Sequence, residues 1–495
     1  MKSKRRMPKR YPHLLSNRKD FTMDMGYIYP FNFYAALPGD TFQASTTAMI
    51  KCNQLLAQIQ TPCQVTITHA FIPYRLIWDD SQEFFTGGED GMSVFDHPTI
   101  QPGTVAESSL FDYLGFAPGN YGTREFNALI PRAYGLFINH YHRDQDLITE
   151  RVIDTTSGLD TTTDVTIAPA LWQKDYFSAA RPFTQRGDDL TIPIGGDAPV
   201  TGIGMVTQTY PHSGNVYETD GTGAVSYSSS NYNSTDQATE EDPNNTGYPN
   251  IRADLSQATG LAIDDFRLTI AMQRMYERMG KNGYRYSDYL NSMGLPSSDS
   301  RLQQPELLGI GKNIITFSEV LATDGANTGE EYGHGFSAMR TNKFRRYFEE
   351  HGIMLSCISV MPKPQYAQCL EREWLRQTKE DYFVPELQHI GEQVITNQEA
   401  YSLHSVPENA WGYLPRYEEY RGSHSRIAGE LHTTQNHRHM GRIYSGDVAL
   451  NSSWITTTPT KRVFGAPGTE SLNVTCLNTT QARRMVSPLG RSKTI

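Results

Sequence analysis

The richest chemistry in this sequence lies at its start. "MKSKRRMPKR" places Lys2, Lys4, Arg5, Arg6, Lys9 and Arg10 within ten residues, and Arg18 and Lys19 follow closely. Near the other end stand Arg483 and Arg484, with Arg491 and Lys493 beyond them. Cationic groups at this density neutralise phosphates and release counterions without reading base sequence. Tyr11 and Tyr27 are available for base stacking. Other clusters carry less. His140 and His142 in "HYH", and His437 and His439 in "HRH", would each share one face of a strand and could hold a divalent ion. No Cys or carboxylate spacing completes either set, so no metal site is expected.

Catalytic and cofactor signatures are missing from the sequence. It contains no G-x-x-x-x-G-K-[ST] and no G-x-S-x-G. "TGIGMV" is too short for a dinucleotide fingerprint. Glu349–Glu350 and Glu418–Glu419 are adjacent in sequence, but a glycosidase pair is defined by separation in space. The five cysteines (Cys52, Cys63, Cys357, Cys369 and Cys476) are widely spaced and form no C-x-x-C pair. They read as reduced thiols packed as small hydrophobes. Sequons at Asn244, Asn451 and Asn473 matter only in a secretory context. The basic start lacks an apolar h-region, and no apolar run reaches eighteen residues, so neither a secretory signal nor a membrane span is expected.

Charge is unevenly placed. The net charge is −10, yet residues 1–20 and 481–495 hold twelve of the 44 Lys and Arg and one of the 54 acids. The ends therefore carry about +11 and the body about −21. Cationic ends on an acidic body point to a polyanion met by the ends alone.

Positioning these ends falls to a β-rich body. The chain has 28 Tyr, 21 Phe, 40 Gly and 27 Pro, a mix that suits short strands and ordered loops. "LPGD" (residues 37–40) reads as a turn, and "TFQASTTAMI" as a strand. In "CQVTITHAFIP", Val65, Ile67 and His69 alternate with Gln64, Thr66 and Thr68, the period of a half-buried strand that Pro73 ends or places at a sheet edge. "NIITFSEVLAT", "GIMLSCISVMP" and "GDVALNSSWIT" are further expected strands. Residues 125–146 read as a helix. "IDDFRLTIAMQRMYERMGKNG" reads as a second, with Asp264 as N-cap, Gly280 as stop, and a core stripe of Leu268, Met272, Met275, Tyr276 and Met279. From Gly187 to Ile251 there is no Lys or Arg; this stretch is polar and acidic, as in a surface insertion.

A set of segments then falls into order. "LPGD" is followed by "FIPYRLIWDD" (71–80), "IPRAYGLFINHYHRDQDL" (130–147) and "KDYFSAARPFTQRGDDLTIPIG" (174–195). "MQRMYERMGKNGYRYSDYL", "SDSRLQQPELLGIG" (298–311), "EHGIMLSCISVMPKPQYAQCLEREW" (350–374), "DYFVPELQHIGEQVITNQEAY" (381–401) and "GYLPRYEEYRGSHSRIAGEL" (412–431) come after. Together they resemble the major capsid proteins of the Microviridae, small icosahedral single-stranded DNA phages, and the gokushovirus-like branch in particular.

The resemblance implies a mainly β fold: an eight-stranded antiparallel viral jelly roll with long loop and helical insertions. It implies a basic arm (1–20) and one capsid domain (21–495), with a variable surface insertion (196–255) and a basic tail (481–495). Copies would form pentamers and a closed shell, assembled in the bacterial cytoplasm and resident in the virion. No cofactor is implied. Expected partners are the chain itself, a single-stranded DNA genome, an internal scaffolding protein, a small basic DNA-binding protein, a DNA pilot protein and a host receptor. Lys2, Lys4, Arg5, Arg6, Lys9, Arg10, Arg18, Lys19, Arg483 and Arg484 would face DNA. Tyr217, Tyr227, Tyr232 and Tyr248 would face the receptor. The competing expectation is a secreted or surface β-sandwich that binds or hydrolyses polysaccharide.

Overall fold

A computed structural model describes residues 9–89, 91–188, 190, 200–201, 203–205, 237–239, 242, 244, 251–253, 263–282, 285–295, 304–323 and 328–488. Eleven strands form one continuous hydrogen-bonded system. In chain order they begin with β1 (Tyr11–Leu14), β2 (Asn17–Met23), β3 (Tyr27–Ala36), β4 (Thr41–Cys52), β5 (Cys63–Pro73) and β6 (Ala168–Pro169). They continue with β7 (Glu306–Leu321), β8 (Glu331–Arg340), β9 (Phe344–Tyr347) and β10 (Gly352–Pro362). A separate hairpin, β11 (Glu392–Thr396) and β12 (Ala410–Pro415), precedes the last strand, β13 (Leu472–Arg484).

The system is two antiparallel sheets that share one long strand. The first runs β6-β3-β10-β5-β7, with Glu306–Ile315 of β7 paired to β5. The same strand then pairs through Thr316–Leu321 with β8. The second sheet continues β8-β4-β13, with β9 beside β8 on β4 and both β1 and β2 on β13. From β2 to β5 consecutive strands alternate between the sheets, β2 and β4 lying in the second and β3 and β5 in the first, and β10 returns to the first after β9. That wrapping is a jelly roll. Eight of the eleven strands are seven residues or longer.

Alternation explains the core. Ile50, Val474 and Cys476 of the second sheet meet Val65, Ile67, Ile358 and Val360 of the first in one buried cluster. Leu37–Asp40 turns the chain between the sheets, with the Asp40 amide donating to the Leu37 carbonyl at 2.9 Å and Gly39 at φ +88°. A second cluster lies on the outer face of the first sheet. There α1 (Leu129–Tyr141) packs Ala133, Tyr134 and Phe137 against Ile28, Ile72, Ile353 and Leu355. Arg132 on this helix is fully buried. Its guanidinium donates to Asp160 at 2.8 Å and to the Thr156 carbonyl at 3.0 Å. The Tyr134 hydroxyl donates to the Ile28 carbonyl at 2.7 Å and accepts from the Ala168 amide at 2.9 Å. The "RAY" triplet is thus a structural clamp.

Three expectations need correction. "GDVALNSSWIT" contains no strand but one helical turn, Ser452–Ile455, because the Asn451 side chain accepts from the Trp454 amide and starts a helix. In α2 (Ile263–Asn282) the stripe is not core: Leu268 is 59% and Met275 37% exposed. Asp264 lies inside the first turn of α2, and Gly280 does not stop the helix. All five cysteines are free, four of them buried. No helix of the described residues is long and apolar enough to cross a membrane.

The chain divides into two compact units, Gln185–Glu277 and the remainder. Within the smaller one, Ile203–Met205 pairs antiparallel with Gln237–Thr239, and Val200–Thr201 with Arg252–Ala253. Most of 196–255, including Tyr217, Tyr227, Tyr232 and Tyr248, lies outside the described residues.

Candidate nucleic-acid interface at the joined chain ends

The two basic ends are neighbouring strands. β1 pairs with the end of β13 in the register Tyr11↔Arg484, Pro12↔Arg483 and Leu14↔Gln481. β13 in turn pairs with β4, Arg483 opposite Thr41, and β4 with β9, Gln43 opposite Arg345. Residues opposite one another across antiparallel strands share a face. Arg483 and Arg345 therefore project from the same side. With His13, Gln43 and Gln481 they line a groove of about 380 Å³. Both guanidiniums are exposed, and among the described residues neither has a hydrogen-bond or ion-pair partner. His13 Nε2 lies 2.9 Å from the Val486 carbonyl.

The other cations divide into free and engaged groups. Lys9 is exposed, its ammonium 5.1 Å from the centre of the Tyr11 ring. Arg10 donates to the Gly39 carbonyl at 2.9 Å and to Thr41 Oγ1 at 3.1 Å, tying the arm to the turn between the sheets. Arg484 projects to the opposite side from Arg483 and pairs with buried Asp40 at 2.8 Å. Arg18 is exposed beside Asp20 at 3.0 Å. Lys19 is half-buried over Phe21 and donates to the Tyr113 carbonyl; burial pulls its pKa below the ordinary lysine value. Tyr27 packs against the core. Lys2, Lys4, Arg5 and Arg6 lie outside the described residues. Arg345 was not singled out from the sequence. Its signal is the alternation in "KFRRY", where Arg346 turns to Glu306 at 2.8 Å and Arg345 turns away.

Neither histidine pair lies on a strand. His140 lies in the last turn of α1 and His142 follows the helix, and burial depresses both to about 4, which keeps them neutral at neutral pH. His437 sits in a short turn, and His439 Nε2 lies 2.8 Å from the Leu431 carbonyl. Among the described residues no group of His, Cys, Asp or Glu could hold a metal ion. Glu350 pairs with Arg75 at 2.8 Å. Buried Glu399 is raised in pKa by burial, and accepts from Thr396 at 3.0 Å and Tyr176 at 2.9 Å. These carboxylates brace loops.

A model of the phage capsid protein (F protein) family matches residues 3–489. The chain belongs to this family. The capsid protein VP1 of Bdellovibrio phage phiMH2K is 32% identical, the match covering 86% of this chain and 84% of the relative. VP1 of Chlamydia phage 1 is 26% identical over 90% of this chain and 89% of its own. VP1 of Spiroplasma virus 4 is 28% identical over 87% and 85%. The protein is thus a bacteriophage capsid protein of the Microviridae type, a structural component of the virion. Family membership replaces the polysaccharide-binding alternative. The segments that carry the resemblance have structural roles in this fold. "LPGD" holds Arg484, and "RAY" fixes α1. "DYF" places Asp175 to accept from the Tyr366 hydroxyl at 2.7 Å.

Proposed function

We propose that copies of this capsid protein assemble through pentamers into a small icosahedral shell that encloses single-stranded DNA, with the joined chain ends facing inward. The observation that carries this reading is the groove with free Arg345 and Arg483, built where two basic ends meet on a body near −21. Twelve terminal cations offset only about a dozen phosphates per chain. The remaining phosphates call for the small basic DNA-binding protein and other cations, and assembly for the internal scaffolding and DNA pilot proteins.

Replacing Lys2, Lys4, Arg5, Arg6, Lys9 and Arg10 with Gln tests the inward arm. Particles should form with a lower ratio of filled to empty shells. Normal filling with unchanged particle stability would remove the arm's DNA role. Failure to form even empty shells would make the arm a docking segment instead. The insertion 196–255, free of Lys and Arg to residue 251, is the proposed outer surface, with Tyr217, Tyr227, Tyr232 and Tyr248 as its host-receptor contacts. Deleting 210–250 should preserve assembly and reduce adsorption to host cells; loss of folding would contradict that placement.

A further inference from the structure

The groove at the chain ends is one corner of a larger surface. On the side away from the core, the second sheet presents Arg483, Gln481, Leu477, Thr475 and Asn473 from β13. β4 presents Thr47, Met49 and Lys51 on the same side. The register sets Arg18 opposite Leu477, Leu477 opposite Thr47, and Thr47 opposite Arg340. It sets Lys51 between Asn473 and Phe336, and Thr41 between Arg483 and Tyr347. Five cations thus share one exposed face: Arg18, Lys51, Arg340, Arg345 and Arg483. Among the described residues the one acid on the strands opposite this set is Asp20, already engaged by Arg18. Lys51, Arg340, Arg345 and Arg483 have no partner among the described residues.

From the Thr41 row to the Lys51 row is about 34 Å at the usual strand rise. The polar groups between the cations are Thr, Asn and Gln, which donate to phosphate oxygens as well as to bases. Phe336 and Tyr347 are 41% and 44% exposed on this face, and Leu477 and Met49 are similarly open. Aromatic and apolar groups set among cations on an open sheet form a stacking platform for single strands, since each base offers a π-face. Acids are few on this face although the chain as a whole carries a net charge of −10.

We propose that this sheet face is a folded, sequence-independent binding platform for single-stranded polynucleotide, acting beside the terminal arm. The proposal rests on the reading that the shell encloses single-stranded DNA, and it gives that contact a rigid surface. Phosphates meet Arg18, Lys51, Arg340, Arg345 and Arg483, while exposed bases lie against Phe336, Tyr347 and Leu477.

The test is binding of full-length protein to fluorescein-labelled dT30, measured by anisotropy across salt. A variant with Lys51→Gln, Arg340→Gln, Arg345→Gln and Arg483→Gln removes four contacts and no core atom. Its slope of log affinity against log salt should fall by about 3, since each contact on a single strand contributes about 0.7. Phe336→Ala with Tyr347→Ala should weaken binding with the slope unchanged. Thr475→Glu, which removes no cation, should also weaken binding and guards against loss of fold in the multiple variant. Wild-type affinity and slope in the four-cation variant, alongside a loss in an arm variant, would overturn the platform and leave DNA enclosure standing. Absence of dT30 binding by the wild-type protein at low salt would overturn both. A four-cation variant that binds dT30 normally but self-associates less would reassign the face to contacts between copies.

Discussion

The two sheets of this capsid protein have similar strand lengths but different surroundings. In the first sheet, β10 is buried at nine consecutive positions, because α1 covers the face turned away from the core. In the second, β13 alternates between buried and open along nearly its whole length. Their sequences differ accordingly. "GIMLSCISVMP" is apolar or small throughout, as a strand covered on both faces must be, whereas "LNVTCLNTTQARR" alternates. The difference separates a sheet built for stability from one built to present a surface. Cations accumulate on the open sheet because an uncovered strand can carry Arg and Lys without burying a charge.

Breaking the cover of the first sheet should have the largest effect. Asp160→Ala leaves the fully buried Arg132 guanidinium without its 2.8 Å partner. A loss of about 3–5 kcal/mol is expected in denaturant unfolding. Next comes Leu355→Ala, which opens a cavity between α1 and the sheet and should cost about 2–5 kcal/mol.

A smaller effect follows from pH. His69 on β5 is buried, its Nδ1 2.8 Å from Ser356 Oγ, and burial lowers its pKa to about 4. The unfolded chain, with an ordinary value near 6.5, binds the proton first as pH falls. Stability should therefore drop between pH 6.5 and 4, by up to about 1.4 kcal/mol per pH unit for this group. His69→Gln should flatten part of that slope in unfolding curves across the range; His140 and His142, also near 4, would retain the rest. An unchanged slope would show that His69 does not titrate with folding. The smallest effect belongs to the open sheet. Leu477→Ala, 47% exposed, should change stability by less than about 0.5 kcal/mol.

Much of this contrast was legible from residues. The alternation of Val65 and Ile67 with Gln64 and Thr66, and the apolar run in β10, locate strands, but the half-buried reading of β5 fails from Ile67 to Pro73, where every position is buried because the first sheet is covered on both faces. Other features depend on contacts that a linear pattern does not carry. "GDVALNSSWIT" has strand-like residues, but the Asn451 side chain starts a helical turn there. The apolar stripe of α2 has helical spacing, yet spacing does not say what packs against it. At the candidate interface the chain ends were legible as cations and their division of labour was not. Arg484 braces Asp40 and Lys19 reaches the Tyr113 carbonyl, while Arg345, distant in sequence, joins Arg483 only through the pairing of β13, β4 and β9.

The most direct test of the open sheet's role is a cryo-electron microscopy reconstruction of the filled particle. The face carrying Lys51, Arg340, Arg345 and Arg483 should line the interior with nucleic-acid density against it. Finding that face on the outer surface, or buried against a neighbouring copy, would contradict the account.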